Sequence, residues 1–126
     1  MMPRLYREAP LNGIWEGSGN VIALDVLRAI QKEPEALERV LAEIHLAKDR
    51  HLENFLAGID RAFVEHDARR VAETLALALQ ASLLLRFSPP AIADAFCASR
   101  LVGNWGHTFG TLPRSIDVHA VLASVD

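Results

Sequence analysis

One cysteine, Cys97, is all the sequence contains, so no disulfide can close within the chain. That fits a reducing compartment, and the expected location is the cytoplasm. Long apolar runs are missing too. The longest, Leu75 to Leu85, is broken by Gln80 and falls short of the ~20 residues that a membrane-spanning helix needs. No secretory leader is visible, because Met1 to Ala9 is polar and holds Pro3. Aromatics make up only 6% of the chain while Ala and Leu are abundant, a balance that favours helices over strands. There is no basic excess. The net charge of −3 gives no support to non-specific nucleic-acid binding, which needs a basic face. Even so, Arg61, Arg69, Arg70, Arg86, Arg100 and Arg114 all lie in the second half.

Several chemical signatures are absent as well. No P-loop or dinucleotide fingerprint occurs, and no Gly-x-Ser-x-Gly elbow that would signal a hydrolase. The histidines, His45, His51, His66, His107 and His119, form no His-x-x-x-His or Glu-x-x-His pair, so no metal site is expected. Cys97 stands among apolar residues, as an inert buried thiol does. Trp105 and Phe109 could form a binding surface or staple a loop to the core, and His107 beside them suits a backbone hydrogen bond.

What is present reads as helix. At 126 residues, 51% of them hydrophobic, the chain is expected to form one domain with a sizeable core. Pro10 to Gly19 is a loop, after which Ser18 or Asn20 can cap a first helix to about Glu33, with Ala23, Leu27 and Ile30 on one face. Pro34 opens a second helix with a stripe at Leu37, Val40, Leu41 and Ile44. Asp49 caps a third, whose stripe is Leu52, Phe55, Leu56, Ile59 and Phe63. Asp67 caps a fourth, Ala68 to about Phe87. It is apolar nearly all round from Leu75 onward, the pattern of a buried central helix. Ser88-Pro89-Pro90 reads as an N-cap with proline at the first helical position of a fifth, whose inner face is Ile92, Ala95, Phe96 and Ser99. Gly103 to Pro113 is a loop, and Ser115 can cap a last short helix to about Ala123. The expected fold is all-α, a bundle of about five helices.

The most informative stretch is Tyr6 to Arg28. Glu16 stands between Trp15 and Gly17, and a carboxylate beside a large ring can be desolvated toward the pKa of a general base. An acid just before a helix is also favoured by the helix dipole alone, so spacing leaves both readings open. Gly17, Ser18, Gly19 and Asn20 form a turn that either cradles a phosphate or flavin edge or is simply a capped turn.

The string Leu5-Tyr6-Arg7-Glu8-Ala9-Pro10-Leu11-Asn12, followed by Ile14-Trp15-Glu16-Gly17-Ser18-Gly19-Asn20-Val21, resembles the acyl-CoA dehydrogenase family, in its AidB-like (adaptive-response) branch. Lys48-Asp49-Arg50-His51, Ser88-Pro89-Pro90 before Phe96-Cys97, and the stretch Trp105 to Pro113 carry the likeness on. Members of the family are several times longer. The resemblance implies their C-terminal part: residues 1–33 would end the dehydrogenase's C-terminal bundle, and residues 34–126 would be the additional helical segment of the branch. It implies Glu16 as the catalytic base, Ser18, Gly19 and Asn20 as FAD contacts, and Trp15, Gly17 and Arg28 on the acyl-CoA side. The commoner motif has Thr at the place of Ser18 and Gln at that of Asn20, so the hydroxyl and the amide are kept. FAD and acyl-CoA belong to the full-length context. The 126-residue chain alone is expected to bind no cofactor and to be inactive. The branch also implies double-stranded DNA as an alternative partner, against which the net charge of −3 argues. A helical piece of a larger protein exposes apolar surface, so a homo-oligomer is expected, with no membrane contact.

Overall fold

The computed structural model describes residues 2–13, 19–59, 63–104, 106, 108 and 110–124. Among these residues there is no strand, and the architecture is all-α as expected. Among the described residues seven α-helices occur rather than about five: α1 Met2–Glu8, α2 Gly19–Lys32, α3 Pro34–His45, α4 Arg50–Leu56, α5 Ala68–Phe87, α6 Pro90–Phe96 and α7 Val118–Ala123. Helical 3-10 turns at Ala9–Gly13 and Glu65–Asp67 and a π turn at Cys97–Leu101 complete the set. No helix among the described residues is long and apolar enough to cross a membrane.

The polar start folds as α1 because Pro3 falls in its first turn, where proline is tolerated. Arg4 and Glu8 then pair one turn apart, Nε to Oε1 at 3.1 Å. Residues Pro3 to Leu11 are all exposed. α2 buries Ala23, Leu27 and Ile30, the face its spacing predicts. α3 starts at Pro34 as predicted and buries Leu37, Leu41 and Ile44, while Val40 stays 38% exposed and drops out of the stripe.

α4 is capped by Asp49, whose carboxylate accepts from the Leu52 amide at 2.9 Å. It is shorter than its stripe predicts. The helix stops at Leu56, where Gly58 lowers helix stability by about 1 kcal/mol. The amides of Gly58 and Ile59 turn back to Phe55 and Leu56 in tight turns. Phe63, placed on the stripe by periodicity, has a φ of +48° and is not helical.

α5 is the hub, packing on α2, α3, α4 and α6. Asp67 precedes it but makes no side-chain cap, because residues 65–67 are already wound into a 3-10 turn. As its apolar stretch from Leu75 onward leads one to expect, α5 is central, but it is not buried on every side. Beside Val71 its buried residues are small (Ala68, Ala78, Ala81 and Ser82), which lets neighbours approach closely. Leu83 and Phe87 stay 42% and 72% exposed on its outer side.

Ser88 does not cap α6. It ends α5 in extended backbone, and its Oγ donates to the Leu84 carbonyl at 2.8 Å. Pro89, the residue immediately before Pro90, occupies the cap position instead and has no side chain to accept a bond. α6 then widens into the π turn, where the Val102 amide donates to the Cys97 carbonyl at 3.1 Å. α7 is capped by Asp117, which accepts from the Ala120 amide at 3.0 Å, and not by Ser115. The glycine-rich loop is a loop. Gly103 and Gly110 sit at φ of +76° and +82°, and Gly106 lies so close to Thr111 that a Cβ would meet its side chain at 3.0 Å.

The main core joins α2 to α5 and the π turn: Ile30, Leu37, Leu41, Ile44, Leu52, Val71, Ala78, Ala81 and Cys97. A smaller cluster of Ala23, Leu27 and Ala68 ties the first half of α2 to the start of α5.

Candidate functional site

Of the motif residues, Gly19, Asn20 and Arg28 are described. Trp15, Glu16, Gly17 and Ser18 lie outside the described residues, and so does the expectation that Glu16 is exposed. Trp105, His107 and Phe109 lie outside them too.

Gly19 is the first residue of α2, is exposed, and has open space where a Cβ would stand. Backbone can therefore approach a ligand at this point without a side chain intervening. Asn20 follows it, also exposed. Its Oδ1 accepts from Arg69 Nε at 3.2 Å, which leaves the amide NH₂ able to donate elsewhere. α2 carries no acid in its first turn, so its positive end is not neutralised by its own side chains. An open glycine, an amide donor and a helix start with no acid in its first turn fit an acceptor-rich group such as a flavin edge or a phosphate. Sequence reasoning missed Arg69. It is 49 residues from Asn20, and no local spacing marks it.

Arg28 lies on the outer side of α2, paired through Nη1 with Asp25 Oδ1 at 2.7 Å, both side chains well exposed. It borders a cavity of about 180 Å³ shared with Leu24, Leu27, Gln31 and Glu65. That is below the ~300–1,000 Å³ of small-molecule sites, so this cavity by itself cannot take an acyl-CoA.

Two larger hollows lie elsewhere. One, of about 590 Å³, is an open groove lined by His51, Asn54, Arg70, Thr74, Leu101 and Val102 among others. The other, of about 460 Å³, is an apolar cleft between α3, α4 and α5. Two polar side chains stand on it, His45 and Glu53, with His45 Nδ1 to Glu53 Oε1 at 2.7 Å. The pair joins the last turn of α3 to α4 across eight residues, a spacing that helical pair rules do not reveal.

Cys97 is buried, as its position predicts. Burial, with the charges of Asp49 and Asp94 adding to it, pushes its thiol up from 9.0 to about 11. It is an inert core thiol, not a nucleophile. Among the described residues no group of three or more His, Cys, Asp or Glu converges as a metal site would require.

Sequence comparison decides the kinship. Over 102 residues, 76% of this chain, 33% are identical to AidB of Escherichia coli (strain K12), a protein that carries an acyl-CoA dehydrogenase name. The likeness supports a partial AidB-like acyl-CoA dehydrogenase sequence. It spans about a fifth of that relative's length, 19%, and corresponds to a C-terminal piece of it. No family model matches the AidB-like chain, and no solved structure matches it. Its all-helical build is consistent with an acyl-CoA dehydrogenase C-terminal-like domain.

Proposed function

We propose that this chain is the part of an FAD-dependent, AidB-like acyl-CoA dehydrogenase that supplies the catalytic base and a set of flavin contacts. The likeness to AidB, with the Trp15 to Asn20 motif in the family's order, is the observation that carries the reading. Residues 1–33 are taken as the end of the dehydrogenase bundle and residues 34–126 as the added helical segment. FAD, when bound, accepts the hydride that leaves the β-carbon of the acyl chain. Glu16 takes the α-proton onto its carboxylate. Trp15 walls the pocket, and Gly17 lies along the thioester end, where no side chain obstructs it. Ser18, Gly19 and Asn20 donate to or pack against the flavin. Arg28, which pairs with Asp25 on the outer side of α2, is read as lying near the acyl-CoA. Alone the chain is inactive, since a base without the walls that orient its substrate cannot direct a proton transfer.

The test is a chimera in which this chain replaces the matched segment of E. coli AidB. Under anaerobic conditions an acyl-CoA is added and flavin absorbance followed. The chimera is expected to retain flavin and to bleach. With Glu16→Gln, flavin is retained and bleaching slows by at least about 10²-fold, the scale of a lost general base. Bleaching at an unchanged rate refutes the role of Glu16, and a chimera without flavin refutes the cofactor contacts. Acyl-CoA oxidation by the isolated chain refutes its inactivity.

We also propose that the chain self-associates through the outer side of α5, where Leu83 and Phe87 are exposed. Sedimentation velocity is expected to show a concentration-dependent dimer that Phe87→Ser weakens. A monomer at every concentration rules this out. The same samples test the DNA-binding alternative, which demands duplex binding that falls steeply with salt.

A further inference from the structure

The cleft of about 460 Å³ shares no lining residue with the cavity at Arg28 and has no part in the chemistry assigned to Glu16. It exists because α4 stops early. Had the helix run on to Phe63, Ile59 and Phe63 would lie along its stripe. Instead the chain turns after Leu56, and both residues become walls of the hollow, opposite Leu37, Leu41 and Leu75. Phe63 reaches its place with a φ of +48°. For a bulky residue this is a sparsely populated conformation, of the sort that persists only where the surroundings enforce it and that concentrates at ligand-holding sites.

The volume falls within the range of small-molecule sites, and most of the described side chains on the walls are apolar, with two polar ones among them. The polar groups are specific. Among the described residues Glu53 is the only acid on the lining, and one of its oxygens accepts from His45 Nδ1 at 2.7 Å. A carboxylate offers about four lone-pair sites, so Glu53 can accept a further donor at the mouth while His45 fixes its orientation. Among the described residues no lysine or arginine lines the cleft to compete for it. The net charge of −3 adds a long-range preference for cations.

We propose that this cleft binds a small ligand with an apolar body and a protonated amine head, the body among the leucines and Phe63 and the ammonium on Glu53. The probes are n-hexylammonium, n-hexanol and n-hexanoate, each titrated at pH 8 into the 126-residue chain carrying labelled leucine methyls. Hexylammonium is expected to shift the Leu37, Leu41, Leu56 and Leu75 methyls saturably. Hexanol should do so more weakly, and hexanoate should bind at least tenfold more weakly than hexylammonium. Glu53→Gln is expected to weaken hexylammonium about tenfold, the scale of a charge-assisted hydrogen bond, and to leave hexanol nearly unchanged. Ala57→Phe places a ring on the lining from an exposed helix-end residue of ordinary backbone, so the fold tolerates it. It is expected to abolish binding of both while the far-UV circular dichroism is kept. The proposal is overturned by absence of saturable shifts with any probe, by hexanoate matching hexylammonium, or by Ala57→Phe leaving binding intact.

Discussion

Ile44 and Val40 stand one turn apart on α3, and substituting each in turn tests how that helix sits on the core. Ile44 is fully buried against α5 and the rest of the main cluster, whereas Val40 is 38% exposed. Ile44→Ala removes three carbon groups at roughly 0.8 kcal/mol each, about 2.4 kcal/mol in all. The cavity left behind adds on the order of 1 kcal/mol, because the surroundings relax only in part. Alanine's better helix propensity returns about 0.5 kcal/mol. The expected net loss is therefore about 3 kcal/mol, a large share of the ~5–15 kcal/mol that holds a domain together. Val40→Ala removes two methyls from a side chain already partly in water, about 1 kcal/mol, and the same propensity gain leaves a net loss near 0.5 kcal/mol. Urea unfolding followed by far-UV circular dichroism reads both. With a slope of about 1.5 kcal/mol per molar, Ile44→Ala lowers the midpoint by about 2 M and Val40→Ala by about 0.3 M. Equal losses, or a larger loss at Val40, would falsify the orientation of α3 and with it the floor of the apolar cleft.

Cys97 gives a prediction in pH. Its proton is held more tightly in the folded chain, where the thiol sits at about 11 against an ordinary 9.0, so folding favours the protonated form. That contribution to stability is complete below pH 9 and fades as the pH rises from 9 to 11, so wild type loses stability across this window faster than Cys97→Ala. Asp49→Ala removes the cap of α4, at a cost of about 1 kcal/mol, and also removes one of the two charges that raise Cys97. Thiol alkylation followed against pH is expected to move to lower pH in that variant, and an unmoved profile refutes the link.

The parts of the fold that were legible in the sequence are those decided locally. Pro34 opens α3, Asp49 caps α4, and the 3.6-residue spacing places Ala23, Leu27 and Ile30 on the buried face of α2. What was not legible was decided by competition or by tertiary contact. Apolar spacing at Leu52, Phe55, Leu56, Ile59 and Phe63 describes a helix and a folded-back turn equally well, since both bury the same residues. Only the early stop shows which occurs. Pro89 displaced Ser88 from the cap by one residue, a shift that composition alone cannot resolve. On α5 an apolar sequence did not mean burial, because its small residues took the inward side and left Leu83 and Phe87 outside. The motif from Trp15 to Asn20 was found through the order of its residues rather than any periodicity, and Arg69 and the His45–Glu53 pair emerge only when distant segments meet.

That meeting of segments bears on how the motif is held. Arg69 reaches Asn20 through one hydrogen bond of 3.2 Å between exposed side chains, a contact that contributes at most about 1 kcal/mol, since water competes for both partners. Beneath it Ala23 and Leu27 close on Ala68, all three nearly inaccessible, with Leu24, Phe63 and Ala72 packed around them. Water cannot compete there, and the small side chain of Ala68 sets how closely α2 approaches α5. The start of α2 is therefore placed by packing, and the Arg69 bond only orients the amide of Asn20. The described end of the motif, Gly19 and Asn20, thus does not stand on a loose end of the chain. Gly19 and Asn20 take their position from the first turn of α5, 49 residues further along from Asn20 to Arg69, so the helices after Lys32 help set where α2 begins.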